Sequence, residues 1–137
     1  MAASALTPEQ ALATMPFSQL MGVEFTSITG DEVRATLAWA PERCTIGGAL
    51  HGGALMALAD AAGAVAAFLN LPDGGTGTTT VSSATNFLRG VRDGHVEAIS
   101  RPLHTGRTTI VIETEILDAS GKRVAKVTQT QAVLRPT

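Results

Sequence analysis

Val33, Ala35, Leu37 and Trp39 alternate with Arg34, Thr36 and Ala38. An apolar residue at every second position predicts a strand buried on one face. Val23–Ile28 reads as a strand before it, joined through a turn at Gly30-Asp31, and Pro41 ends the ladder. The pattern then changes. Residues 52–69 hold eight Ala and three Leu with no alternation, and this length exceeds an ordinary strand. They predict a helix, apolar around nearly its whole circumference and so covered on most sides. After a loop at Asn70–Gly77 come four strand-like runs: Thr78–Leu88, His95–Arg101, Thr108–Leu117 and Arg123–Leu134. Gly90–Gly94, Pro102–Gly106 and Asp118–Gly121 read as the turns between them. Ahead of all this, Thr7-Pro8-Glu9-Gln10 has the form of a capping box, Pro16 closes that short helix, and Phe17–Met21 forms another turn before Gly22.

The order α, β, β, long α, then four β predicts an α+β fold: a curved, mostly antiparallel sheet wrapped around one central helix. A length of 137 residues suits one domain over 1–137, with a short helical segment at its start. So small a sheet leaves its edge and the Ala-rich helix poorly covered. A twofold dimer is the simplest expected remedy.

Composition narrows the function. Hydrophobic residues make up 45% of the chain, which argues against an intrinsically disordered protein. Aromatic residues are 4%, with no Tyr, so a base-stacking surface is not expected and nucleic acid is excluded as a partner. The net charge of −2 divides unevenly. Residues 1–75 carry two basic and seven acidic groups, net −5; residues 76–137 carry eight and five, net +3. An anionic small molecule is expected on the C-terminal half. The single Cys44 excludes an intrachain disulfide and a cysteine zinc cage, and His51, His95 and His104 lack metal-ligand spacing. No metal and no cofactor is expected. The first ten residues lack a signal-peptide pattern. The apolar run 54–69 spans about 24 Å as a helix, short of the roughly 30 Å of a bilayer core. A cytoplasmic protein off the membrane is the expectation.

His51-Gly52-Gly53 opens the long helix and Asp60 interrupts it. First-turn N–H groups have no intrahelical acceptor and suit an anion or a polarised carbonyl. The alternative reading makes His51 a cap and the glycines a tight turn into the helix. An ionised carboxylate among Ala and Leu is costly unless paired or used, which makes Asp60 a candidate general base or nucleophile. Gly52 and Asp60 stand about 12 Å apart along one helix. One small carbonyl cannot meet both within about 3 Å. Joint action therefore requires two antiparallel copies of the helix, each site taking Gly52 from one and Asp60 from the other. The hydroxyl-rich run Thr76, Thr78, Thr79, Thr80, Ser82, Ser83 and Thr85 offers a group to orient water. Arg107, after Gly106 in a turn, offers a guanidinium to phosphate; it and the other basic groups of this half, Arg89 among them, are otherwise solvated surface charges. Phe17, Leu20, Met21, Met56 and Phe68 are either plain core or the lining of an apolar pocket.

LHGGALMALADAAG resembles the HGG-x6-D signature of hotdog-fold thioesterases of the PaaI (phenylacetic acid degradation) type. TVSSATNFLRG resembles the strand that follows it there, and HTGRTTIVIETEILDASGKRVAKVTQT the last hairpin. The three blocks keep their order and spacing over roughly residues 15–135. The resemblance implies a hotdog fold in a homodimer, commonly paired into a homotetramer, that hydrolyses acyl-CoA thioesters, with coenzyme A entering only as part of the substrate. It implies Asp60 as general base or nucleophile, the Gly52 N–H as oxyanion donor, His51 shaping that helix end, and Thr80 positioning water. Gly53, Ser82, Arg89, Gly106 and Arg107 would hold substrate and CoA. One position departs from the family. Six residues before His51 the family often has Asn, and here Thr45 stands, without the amide's donor and acceptor pair. A hydratase or dehydratase on the same fold, working through His51, is the first alternative; a non-catalytic acyl-CoA-binding protein is the second.

Overall fold

Residues 6–137 are described by a computed structural model. The capping box forms: Thr7 Oγ1 accepts from the Gln10 N–H at 3.1 Å, and Gln10 Oε1 from the Thr7 N–H at 2.9 Å. Behind it run helices α1 (Pro8–Ala13) and α2 (Pro16–Met21), then strands β1 (Glu24–Ile28) and β2 (Val33–Ala38). Two short 3-10 turns, Pro41–Arg43 and Ile46–Gly48, lead into the long helix α3 (Gly52–Phe68). Four strands close the chain: β3 (Gly77–Phe87), β4 (His95–Thr105), β5 (Thr109–Asp118) and β6 (Arg123–Leu134).

The strands form one sheet in the order β1-β2-β4-β5-β6-β3, and every described pairing is antiparallel. The chain leaves β2, crosses the inner face of the sheet as α3, and rejoins at the far edge as β3. This is the hotdog architecture: a curved sheet wrapped around one helix, which touches all six strands. The period-2 pattern decides what faces inward. Val33, Ala35 and Leu37 of β2, Ile110, Ile112 and Ile116 of β5, and Ala125 and Val127 of β6 are buried against Leu55, Leu58, Ala59 and Ala62 of α3. The alternate residues of β5 point outward, where Glu113 meets Lys126 at 3.4 Å and Glu115 meets Arg123 at 2.6 Å.

Two expectations change. The run Pro102–Gly106 is not a turn. β4 continues to Thr105 through a bulge between Pro102 and His104, and the reversal is confined to Gly106–Thr108. Proline lacks the N–H a regular ladder needs, and a bulge is where a strand tolerates it. Nor is α3 covered on most sides. Ten of its 17 residues are buried, but Gly53, Met56, Asp60 and Phe68 are exposed and Ala57 and Ala64 half-buried. These recur at helical spacing and form one largely apolar stripe. Beside it, β3 is exposed on both faces, with Val81, Phe87 and Leu88 in the open.

Candidate active site

Helix α3 presents two chemical groups along its open stripe. At its start His51 is the N-cap, and its Nδ1 accepts from the Gly53 N–H at 2.8 Å. The His51 carbonyl takes the N–H groups of Ala54 and Leu55. Among the described residues nothing accepts from the Gly52 N–H. The cap forms and consumes the Gly53 donor, which leaves the Gly52 N–H without an acceptor among the described residues. Gly53 is accordingly part of the cap and not a free donor. A Cβ on Gly52 would lie 3.1 Å from the Phe87 ring, so glycine lets the end of β3 close over the helix start.

Eight residues on, Asp60 is exposed in the single chain, which corrects the expectation of a carboxylate already buried among Ala and Leu. The physical reason is the uncovered stripe: nothing in one copy lies over it. Its one side-chain partner among the described residues is Thr80 on β3, whose Oγ1 donates to Asp60 Oδ1 at 3.4 Å. The structure thus joins the expected acid and the expected hydroxyl. The straight run of α3 keeps Gly52 about 12 Å from Asp60.

Thr80 is held from behind by residues the sequence reading missed. Gln131 Nε2 donates to Thr80 Oγ1 at 2.7 Å and to Gln129 Oε1 at 2.6 Å. Gln129 Nε2 reaches the Ala59 carbonyl at 3.5 Å. Both glutamines are buried. Their signal lay in the alternation of β6, where the inward positions run Ala125, Val127, Gln129, Gln131. Gly63 carries a second signal. A Cβ there would come within 2.6 Å of the Gln129 amide, which accounts for a glycine inside a helix.

A family model described as the thioesterase superfamily matches residues 47–125, from the turn before α3 to the middle of β6's first half. The chain belongs to the thioesterase superfamily. Thioester hydrolysis is therefore its class of chemistry, as the three motif blocks implied. The proofreading thioesterase EntH of Cronobacter turicensis is 34% identical over 83% of this chain and 82% of its own length. The 1,4-dihydroxy-2-naphthoyl-CoA hydrolase of Escherichia coli K12 is 30% identical over 91% of this chain and 93% of its own. A solved thioesterase structure from Pseudomonas aeruginosa superposes with a TM-score of 0.90 at 28% identity, covering 97% of each chain.

The remaining candidates of this thioesterase fall in separate places. Thr45 is exposed in the loop before α3; its N–H donates to the Ala49 carbonyl at 2.8 Å, and its hydroxyl has no partner among the described residues. Ser82 follows a bulge between Thr80 and Ser82 and is exposed, away from the Asp60 pair. The Gly106 N–H is spent on the Thr109 carbonyl at 2.8 Å, so the turn does not offer that donor to a phosphate. Arg107 is exposed and forms no ion pair with the described residues; its carbonyl accepts from Arg135, which sequence reasoning passed over. The Arg89 N–H donates to the Val124 carbonyl, and Thr108, next to Arg107, accepts from the Val133 N–H; these β6 residues are nine apart, so one chain holds the two arginines roughly 30 Å apart. The C-terminal positive charge is also less available than its sum. Arg101 pairs with Glu32 at 2.5 Å, Arg123 with Glu115 and Lys126 with Glu113 on the outer face of the sheet.

Two cavities flank the stripe. One of about 390 Å³ is lined by Leu6, Met15, Ala64, Val65, Phe68 and Thr78. Ala64 is one helical turn from Asp60, and Thr78 is two residues from Thr80. The other, of about 350 Å³, includes Phe17, Met21, Arg43, His51 and Gly53. Phe17, Leu20, Met56 and Phe68 are exposed and not core in the single chain, which leaves them for a pocket or an interface. Among the described residues no group of three or more His, Cys, Asp or Glu is placed to hold a metal ion, and no helix is long and apolar enough to cross a membrane.

Proposed function

We propose that this thioesterase hydrolyses acyl-CoA, and that its site is built from two antiparallel copies of α3. Asp60 of one copy activates water or attacks the thioester carbonyl, and the Gly52 N–H of the other receives the developing oxyanion. The observation that carries this reading is the open stripe of α3. It bears both a carboxylate and an uncommitted helix N-terminal N–H, too far apart to serve one carbonyl from a single chain. The uncovered faces of β3 give the same pair of copies a surface to bury. Assembly as a homodimer, paired further into a homotetramer, belongs to this reading.

The acyl group lies in the apolar cavity at Ala64, Val65 and Phe68, beside the Asp60–Thr80 pair. An aromatic acyl group is supported by the naphthoyl-CoA relative. The CoA phosphates take Arg107 or Arg89, which with Arg92 are exposed guanidinium groups outside the ion pairs of the described residues. His51 is not the proton carrier at Nδ1, since that atom holds the Gly53 N–H, which weighs against the hydratase reading.

The test is release of free thiol from phenylacetyl-, hydroxybenzoyl-, short-chain and long-chain CoA thioesters by the wild type and Asp60→Asn. The expected result is turnover that falls at least about a hundredfold in the variant, the usual scale for a positioned acid or base. Unchanged turnover in Asp60→Asn would remove Asp60 from the mechanism.

A further inference from the structure

The buried pair Gln129 and Gln131 is an expensive way to fill a core. A buried polar network stabilises only when each member is satisfied, and two leucines would fill the same space without that condition. The pair nevertheless sits at inward positions of β6, at 0% and 1% exposure, directly behind the Asp60–Thr80 contact. Gly63 is kept free of a side chain to make room for it.

The polarity of the chain is fixed from its inner end. The Ala59 carbonyl can only accept, so the Gln129 group facing it is the NH2, and Gln129 Oε1 points the other way. That oxygen must receive a proton, and the group beside it is Gln131 Nε2. An amide nitrogen carries two protons and no acceptor. One proton goes to Gln129 Oε1 and the other to Thr80 Oγ1, which lies across the β3–β6 ladder from Gln131. Thr80 is thereby made an acceptor toward the interior. Its own proton is left for the carboxylate in front of it, Asp60 Oδ1. Each link follows from the one before, and the result is a hydroxyl with a determined direction.

We infer that Gln131, backed by Gln129, is a positioning residue of the thioester site: it turns the Thr80 hydroxyl into an oriented donor that holds Asp60 Oδ1 and reserves Oδ2 for the reacting proton or carbonyl. This rests on the reading of Asp60 as the catalytic carboxylate. Gln131 itself touches no substrate; it acts through Thr80.

The experiment is steady-state thiol release by Gln131→Met, Thr80→Val, Thr80→Ser and the Gln131→Met/Thr80→Val double variant, with Asp60→Asn alongside. Met keeps the volume of Gln131 and removes both donors. The expected result for Gln131→Met is a kcat lower by roughly tenfold with KM within about twofold, the pattern of a contact that matters in the transition state and not in binding. Thr80→Val behaves alike, Thr80→Ser recovers most of that loss, and the double variant is no slower than the worse single one, since both changes break one chain. If Gln131→Met keeps wild-type kcat while Asp60→Asn is inactive, the relay is wrong and the site reading stands. If the two single losses multiply in the double variant, Gln131 does not act through Thr80. If Asp60→Asn is as active as the wild type, the site reading fails and the relay with it. Should Gln131→Met not fold, the side-chain amide NMR signals of Gln131 decide in wild type against Thr80→Val, a change at an exposed position. The relay requires them to shift well beyond those of Gln10 and Gln19; unmoved signals overturn it.

Discussion

β5 and β3 are strands of ten and eleven residues in one sheet, and they are buried in opposite ways. Along β5 every second residue is fully buried and its neighbours reach outward to ion pairs. Along β3 neither face is covered: Val81 is 62% exposed and Phe87 51%. β5 has a neighbour on each side and a helix beneath it, so its alternation is satisfied within one chain. β3 pairs only with β6, and its free edge and apolar residues lie next to the open stripe of α3. The difference separates the part of the molecule that makes the fold from the part that one chain leaves uncovered and that the proposed dimer would bury. The candidate chemistry, Asp60, Thr80 and the Gly52 N–H, is all on the second part.

The largest effects should come from attacking the β3 side. Phe87→Asp places a charge where an apolar face is to be covered. It should reduce the assembly to monomers, read by analytical ultracentrifugation, and turnover should vanish with it. A stable dimer in that variant would move the interface elsewhere. Next is Gly52→Pro. Gly52 is the first helical residue, and His51 before it has the extended backbone a following proline prefers (ψ 135°). Proline there removes the N–H and also brings a Cβ to 3.1 Å from the Phe87 ring, so Gly52→Ala, which adds the Cβ and keeps the N–H, is the control. A fall in kcat of about a hundredfold, the typical loss of one oxyanion donor, is expected in Gly52→Pro, while Gly52→Ala shares any loss of melting temperature and keeps most of the turnover.

The β5 side should respond in stability and not in chemistry. Ile112→Ala in the closed core should cost roughly 3 kcal/mol in denaturant unfolding and leave the kcat of the folded fraction near wild type. The smallest effect belongs to the outer face. Hydrogen bonds from Arg123 hold Glu115, and from Arg34 hold Glu32, below the usual carboxylate range. A carboxylate whose pKa is lowered on folding contributes stability that is present above its unfolded value and lost as pH falls through the folded one. The melting temperature should be level near neutrality and fall on acidification through and below the ordinary carboxylate range. Glu115→Gln should flatten part of that fall, at a cost near neutrality of about 0.5 kcal/mol for so exposed a pair.

The two regions were also unequally legible in the sequence. The alternation of Ile110, Ile112 and Ile116 against Glu113 and Glu115 placed β5 and its burial from local pattern, and the HGG and Asp60 spacing placed the helix start and the acid. Pro102 misled, because a proline marks either a turn or a bulge and only the register with β5 chooses between them. The exposure of Asp60 was not legible, since the sequence of α3 reads as buried all round and the uncovered stripe is set by where β3 stops. Gln129 and Gln131 were hidden for a related reason: their inward register follows from extending the β6 alternation past Val127. Their contact with Thr80 depends on a strand placed at the far edge of the sheet.

The central claim is that each site is shared between two copies, and mixing two dead variants tests it most directly. Gly52→Pro keeps Asp60, and Asp60→Asn keeps the Gly52 N–H. Each alone should keep about one hundredth of wild-type turnover or less. When the two are unfolded together and refolded, half of the dimers are mixed, and each mixed dimer holds one intact site and one doubly damaged site. Activity should return to about a quarter of the wild-type level, as a twofold interface requires. No recovery, with mixed dimers shown to be present by mass spectrometry, would contradict the shared site.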